Sequence, residues 1–138
     1  MKKITYDFKN RTAIVTGGAQ GFGLSITERF LKSGAKVIIW DIDEKTAKES
    51  IKKIGSENCF FQKVDVNNFK EIENNLKKVE EMHNKIDIFI NNAGITGMNA
   101  TITDYPVDEW NKVMNLNLNS VFYCCKAVVP YMLKNNYG

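Results

Sequence analysis

A glycine-rich segment, T-G-G-A-Q-G-F-G at residues 16–23, follows a short apolar run and precedes an amphipathic run from Leu24 to Leu31. This order of strand, glycine-rich turn and helix is typical of nucleotide-binding units. Gly17 allows a tight turn, Gly21 lets a pyrophosphate approach the backbone, and Gly23 lets the helix pack closely on the strand. The free amides and the dipole at the start of the helix favour phosphate charge.

Strand and helix signals alternate along the chain. Short runs rich in Val, Ile and Phe predict buried parallel strands at Thr12–Val15, Lys36–Trp40, Cys59–Val64 and Ile86–Ile90. Amphipathic helical segments lie between them, with Asp43 as a predicted N-cap and with Gly34 and Gly55 as predicted helix stops. The pattern predicts an α/β fold, a Rossmann-like doubly wound parallel sheet in a three-layer αβα arrangement, with strand order 3-2-1-4.

The segment after the fourth strand is predicted to be a polar loop from Ile95 to Pro106, which leaves the sheet at the edge where ligands bind. A short helix is predicted from Val107 to Met114, and a long helix from about Leu118 to about Lys134. Pro130 is expected to kink the long helix or to end it early. An exposed apolar patch is expected on this helix, formed by Val121, Cys124, Cys125, Val128 and Met132.

Composition excludes several classes of protein. The 138 residues favour one domain, and the lysines behind the net charge of +3 alternate with acids, so no nucleic-acid interface is predicted. No apolar run has the length of a membrane span, and no export signal follows the N-terminus. The three cysteines form neither C-x-x-C nor a His/Cys cluster, which predicts no metal site and reduced thiols in a cytoplasmic protein. His83 is expected at the surface.

A second motif, N-N-A-G at residues 91–94, comes directly after the apolar run that ends at Ile90. Together, T-G-x-x-x-G-x-G and N-N-A-G resemble the short-chain dehydrogenase/reductase family, in particular its branch of 3-oxoacyl-acyl-carrier-protein reductases and related alcohol and sugar dehydrogenases. The resemblance implies hydride transfer between a nicotinamide cofactor and a small alcohol/ketone substrate. It also implies a homo-oligomer, a dimer or tetramer, assembled through the long helix.

Asp41 ends the second strand about 18 residues after Gly23, near the spacing at which an acid contacts the adenosine ribose. A 2′-phosphate there would meet a like charge, and no Arg or Lys stands at Gly18, Gln20 or Ile42 to receive it. NAD is therefore favoured over NADP. The alternative is that Asp41 only caps the following helix, a role for which Asp43 is better placed.

Asp65 and Val66 follow the third strand, and the resemblance implies that they meet the adenine ring; an Asp at a strand end is also an ordinary turn residue. For Asn91, Ala93 and Gly94 the resemblance implies that they stabilise the sheet and let the backbone approach the cofactor. The candidate cofactor-binding residues are Gly17, Gln20, Gly21, Phe22, Gly23, Asp41, Ile42, Asp65, Val66, Asn91, Ala93 and Gly94.

One catalytic residue is implied by the resemblance. The segment from Trp110 to Phe122 resembles the family segment that leads into its interface helix, and this register places the catalytic asparagine on Asn117. In the family this asparagine holds a water that relays protons to the active-site lysine. From the residues alone, Asn117 is equally a polar side chain that bonds the backbone.

The remaining machinery implied by the resemblance is a serine and a Tyr-x-x-x-Lys pair, in which lysine lowers the pKa of the tyrosine. None of the five tyrosines has a lysine four positions later. Residues 1–138 are therefore expected to form one incomplete NAD(P)-binding domain that lacks the catalytic C-terminal half and is inactive alone. Two alternatives stay open: an NADPH-dependent 3-oxoacyl-acyl-carrier-protein reductase, or a naturally short, non-catalytic dinucleotide-binding or interaction module.

Overall fold

A computed structural model describes residues 4–138, in which four parallel strands lie in the order β3-β2-β1-β4. The strands are β1 (Thr12–Thr16), β2 (Lys36–Asp41), β3 (Cys59–Lys63) and β4 (Ile88–Ile90). The helices are α1 (Gly21–Lys32), α2 (Glu44–Ile54), α3 (Phe69–His83), α4 (Val107–Met114) and α5 (Ser120–Lys134), with a π-helical turn at Asn115–Asn119 between the last two. The predicted fold class and strand order are confirmed.

The sheet is buried on both faces, which explains why its strands read as continuous apolar runs. On one face, Ile14, Ile38 and Trp40 pack against α3 and α5 through residues such as Leu76 and Val128. On the other face, two smaller clusters pack against α1 and α2. The predicted three-layer arrangement is therefore present in residues 4–138.

The strand register brings the carboxyl ends of the strands to one edge of the sheet. Thr16 at the end of β1 is paired with Trp40, and Asp41 at the end of β2 is paired with Lys63. Val15 is paired with Ile90, the last residue of β4. The segments that follow these strands carry the predicted motifs, and the register therefore places them side by side.

Helix ends follow the chemistry that the sequence predicts. Asp43 caps α2 by accepting a hydrogen bond from the Thr46 N–H at 3.0 Å, and Gly55 ends the same helix in the left-handed conformation. Asn68 caps α3 in the same way, with the Glu71 N–H as donor. These caps fix where each helix starts relative to the sheet edge.

The structure corrects three expectations. The long helix ends at Lys134, as predicted, but Pro130 does not end it early. Of the predicted patch, Cys125 is exposed, whereas Cys124 and Val128 are buried in the core; the large exposed apolar residues of this segment are Leu118, Phe122, Val129 and Leu133. His83 is half-buried, with its ring centroid 4.8 Å from that of Phe60.

In the part of the chain that the structure describes, no helix combines the length and apolar character needed to cross a bilayer. The same residues contain no group of three or more His, Cys, Asp or Glu side chains that could hold a metal ion.

Candidate functional site

A cleft of about 610 Å³ opens at the carboxyl ends of the strands. It brings together residues that follow all four strands, although they are far apart in the sequence. Ten of the predicted site residues line it: Gly17, Gln20, Phe22, Gly23, Asp41, Ile42, Asp65, Val66, Ala93 and Gly94. Gly21, Asn91 and Asn117 do not line this cleft.

The glycine-rich turn forms one wall of the cleft. Gly17 has φ +60°, and its N–H donates to the Trp40 carbonyl at 2.8 Å, so the turn closes over the neighbouring strand β2. A Cβ at Gly23 would collide with the Gly17 carbonyl oxygen and the Asn92 amide, which explains why this position requires glycine. Close packing here brings the start of α1 to the cleft.

The first turn of α1 is suited to an anion. Its N-cap residue, Gln20, makes no side-chain capping bond, and the first turn contains no acidic residue. The N–H groups at a helix start have no partner within the helix, and the helix dipole adds positive potential there. Backbone amides beside the cleft are therefore available to a phosphate group.

Asp41 lies at the end of β2 with both carboxylate oxygens already in hydrogen bonds. Oδ2 accepts from the Ala19 N–H at 3.1 Å, and Oδ1 accepts from the Asp43 N–H at 3.0 Å. These bonds fix the carboxylate between the glycine-rich turn and the start of α2. Each oxygen has a second lone pair for a further donor. Because Asp43 caps α2, Asp41 is not needed for that role.

Asp65 and Val66 line the cleft beyond β3. Asp65 Oδ1 accepts a hydrogen bond from the Asn67 N–H at 2.9 Å, so Asp65 does serve as a turn residue. Val66 is buried and belongs to the core beneath the cleft. Asp65 is exposed at the sheet edge, so a contact with a bound base remains a prediction for it.

Asn92 contacts the glycine-rich turn, although it is not among the predicted site residues. Its Nδ2 donates to the carbonyl oxygens of Thr16 at 2.9 Å and of Gly17 at 3.2 Å. The Thr16 hydroxyl oxygen accepts from the N–H groups of Asn92 and Ala93 at 2.9 and 3.0 Å. These bonds join the ends of β1 and β4 and form the floor of the cleft.

Asn91 reaches α5, whereas Asn92 reaches the glycine-rich turn, as expected if the extended chain alternates between faces. The Asn91 Nδ2 lies 3.5 Å from Sγ of Cys125 on α5. The alternation of side chains along an extended segment could have predicted that only one of these two asparagines faces the glycine-rich turn. Asn91 therefore supports the sheet edge from outside the cleft.

Asn117 lies in the π-helical turn and reaches the loop that leaves β4. Its Oδ1 accepts from the Ile95 N–H at 2.9 Å, and its Nδ2 donates to the Ile95 carbonyl at 2.8 Å. Asn115 and Asn119 bond to each other instead. Ile95 lines the cleft, so Asn117 lies immediately behind the cleft wall.

The cysteines provide no reactive thiolate at the cleft. Burial raises the pKa of Cys59 to about 11, and burial together with the neighbouring Cys125 raises the pKa of Cys124 to about 12. Both thiols are neutral at physiological pH. Cys125 is exposed on α5 and does not line the cleft.

Comparison with known proteins agrees with this geometry. The family model for short chain dehydrogenases matches residues 11–138. The chain belongs to the short-chain dehydrogenase family. It is 35% identical over 131 residues to the 2-dehydro-3-deoxy-L-rhamnonate dehydrogenase (NAD(+)) of Sphingomonas sp. (strain SKA58), a match that covers 95% of this chain and 52% of that protein.

Two further relatives extend the comparison. The chain is 39% identical over 131 residues to a 3-oxoacyl-[acyl-carrier-protein] reductase of Chlamydia pneumoniae, covering 93% of this chain and 52% of that protein. The crystal structure of NAD+-bound xylitol dehydrogenase superposes with a TM-score of 0.88 and 29% identity, covering 95% of this chain and 51% of that chain. The chain thus spans about half the length of these short-chain dehydrogenases.

Proposed function

We propose that this chain is the NAD-binding half of an oxidoreductase that transfers hydride between NAD(H) and an alcohol/ketone substrate. The observation that carries the proposal is the convergence on one cleft of the glycine-rich turn, Asp41, the residues after β3 and the N-N-A-G segment. The supporting context is membership of the short-chain dehydrogenase family.

The residues present fit a dinucleotide. Gly17 and Gly23 allow the turn to pack tightly against the start of α1, which brings uncapped backbone amides beside the cleft that could receive a pyrophosphate. Asp41 has acceptor capacity left for the hydroxyls of a ribose. Ile42 and Val66 supply apolar surface beside Asp65 for an adenine ring.

The charge of the cleft favours NAD over NADP. Three aspartates line it, Asp41, Asp43 and Asp65, and no Lys or Arg of the described residues does. A 2′-phosphate next to Asp41 would add negative charge close to a carboxylate that is already fixed by two backbone N–H groups. A free 2′-hydroxyl would instead donate a hydrogen bond to it.

Hydride transfer is the chemistry that a nicotinamide cofactor supplies when it is bound. Within this chain, the glycine-rich turn would bind the phosphates and Asp41 would orient the adenosine ribose. Asn117 would hold a proton-relay water beside a lysine contributed by the rest of the protein. The support for this role is the pair of hydrogen bonds that joins Asn117 to Ile95 at the cleft wall.

A second candidate is an NADPH-dependent 3-oxoacyl-acyl-carrier-protein reductase. The observation in its favour is the 39% identity to the reductase of Chlamydia pneumoniae. Asp41 and the absence of a basic residue among the described residues of the cleft oppose a 2′-phosphate, so we place this function second.

We further propose that the natural protein is a homo-oligomer, a dimer or tetramer. The π-helical turn and α5 expose Leu118, Phe122, Val129 and Leu133. Exposed apolar residues on one long helical segment are typical of a subunit interface.

The three cysteines are unpaired in the described part of the chain, which supports a cytoplasmic location with reduced thiols.

The experiment is an assay for NADH formation by the natural protein with a panel of secondary alcohols. Turnover is expected for the wild type, and Gly23→Ala should abolish dinucleotide binding because its Cβ would occupy the turn. Gly55→Ala is the control: alanine strains the left-handed backbone at the end of α2 and costs stability, but its Cβ meets open space far from the cleft, so dinucleotide binding should be retained. Dinucleotide binding without turnover of any alcohol would instead favour a non-catalytic module.

A further inference from the structure

We propose that Ser50, on α2 and outside the cleft, is a positioning residue that holds the glycine-rich turn in its dinucleotide-binding shape. The inference rests on the proposed function, because it concerns the same cleft. Ser50 is buried, and its hydroxyl donates to the carbonyl oxygen of Ala19 at 2.8 Å. This bond joins the middle of α2 to the middle of the turn.

Ala19 is held at both of its backbone groups. Its N–H donates to Asp41 Oδ2 at 3.1 Å, and its carbonyl accepts from Ser50. Its side chain is buried in the cluster that contains Ile39 and Ala47. Ala19 lies between Gly17 and Gly21, two glycines with positive φ whose backbones have a wide choice of conformations. Ala19 is therefore a second point at which the turn is fixed, in addition to Gly17, which bonds to Trp40 and Asn92.

Loss of the Ser50 hydroxyl would leave a buried carbonyl without this donor, and the turn would shift to satisfy it. Such a shift would move the backbone amides at the start of α1. It would also disturb the Ala19 bond that orients the Asp41 carboxylate. Ser50 thus acts on the phosphate and ribose contacts together, without touching the ligand itself.

The test measures binding of ADP-ribose to the natural protein by calorimetry. This probe carries the pyrophosphate and the adenosine ribose but no nicotinamide, so binding is separated from turnover. Ser50→Ala should weaken binding about tenfold. Alanine is a better helix former than serine, so α2 itself is not weakened by the change. In turnover assays, the KM for NAD should rise by a similar factor while kcat is retained.

Ser56→Ala is the matched control. The Ser56 side chain lies just beyond α2, where its hydroxyl accepts from the Asn58 N–H, and it has no bond to the turn. It should leave ADP-ribose affinity unchanged. Should Ser50→Ala fail to fold, Ser50→Cys keeps a side chain with a much weaker donor, and an intermediate loss of affinity is expected.

A double-mutant cycle between Ser50 and Asp41, measured on the affinity for ADP-ribose, tests the proposal most strictly. Because Ser50 and Asp41 hold the same residue, Ser50→Ala should cost less affinity in an Asp41→Ala background than in the wild type. Three results would overturn the role of Ser50. The first is that Ser50→Ala binds ADP-ribose as tightly as the wild type, and the second is that Ser56→Ala loses as much affinity as Ser50→Ala. The third is that the affinity losses of Ser50→Ala and Asp41→Ala simply add in the double variant. Failure of the wild type itself to bind ADP-ribose would overturn the proposed function instead.

Discussion

The Asn117 side chain forms two hydrogen bonds with the backbone of Ile95: Oδ1 accepts from the N–H at 2.9 Å, and Nδ2 donates to the carbonyl at 2.8 Å. These two bonds join the loop after β4 to the π-helical turn that follows α4. Ile95 lines the cleft, whereas the side chains of the neighbouring asparagines, Asn115 and Asn119, bond to each other. The structure thus gives Asn117 a contact that its neighbours lack.

We predict that Asn117→Ala in the natural protein lowers kcat while the KM for NAD changes little. Loss of a proton-relay position removes a general acid–base contribution, worth about 10²–10⁴-fold. Steady-state kinetics should be compared for Asn117→Ala, Asn115→Ala and Asn119→Ala. If Asn115→Ala or Asn119→Ala reduces kcat and Asn117→Ala does not, the register of the catalytic asparagine is wrong.

We predict that the 138-residue chain by itself self-associates and has no dehydrogenase turnover. Among the described residues β4 pairs only with β1, so its other edge offers unpaired backbone groups beside an apolar groove that includes Phe30 and Val129. Sedimentation velocity over a range of concentrations measures the association. A monodisperse monomer that melts cooperatively would contradict the prediction.

Stability is predicted to fall as the pH is lowered through the ordinary histidine pKa of 6.5. Burial, with a contribution from Lys36, lowers the pKa of His83 in the folded chain, so the unfolded chain binds its proton first. The stabilising effect of the neutral ring is complete above 6.5 and is lost as the pH falls toward the lowered value.

Urea unfolding of the natural protein on both sides of pH 6.5 measures this dependence. The sequence of this chain contains one histidine, so a matched His83→Phe variant separates its contribution from that of the carboxylates. In the His83→Phe variant, the free energy of unfolding should depend less on pH near 6.5 than in the wild type. If the free energy of unfolding depends on pH equally in the variant and the wild type, His83 is equally solvated in the folded and unfolded states and the prediction is wrong.

Asp87→Ala is predicted to destabilise the protein by about 2 kcal/mol, because it leaves the buried Thr12 N–H without its acceptor and breaks the ion pair with the one-third-exposed Arg11. Asp87 is buried at the start of β4, where it accepts from Arg11 and from the Thr12 N–H, each at 2.8 Å. The comparison is Glu28→Ala, which breaks an exposed pair with Lys32 and should have almost no effect. Equal free energies of unfolding for the two variants would contradict the prediction.

The strands of the sheet and their order could be predicted, because the strands appear as apolar runs in the sequence and the order follows from their alternation with helices. The apolar runs of β1 to β4 are short and separated by turn residues, and Asp43 and Gly55 mark the ends of α2 by capping chemistry. Most of the cleft followed from the same patterns, since parallel strands bring their carboxyl ends to one edge.

The remaining features depend on contacts between distant residues. The Asn92 bond to Thr16 and the Arg11 pair with Asp87 each join segments about 75 residues apart, which no local spacing reveals. On α5 the apolar residues lie on all sides, so periodicity could not decide that Cys124 is buried and Phe122 exposed.

The most direct test of NAD binding is calorimetric titration of the natural protein with NAD and with NADP. The three aspartates of the cleft, and Asp41 in particular, predict that the wild type binds NAD at least about tenfold more tightly. Asp41→Ala should lose most of that preference, and Asp43→Ala should lose much less of it. Equal affinities of the wild type for NAD and NADP, or a full preference retained by Asp41→Ala, would contradict the account.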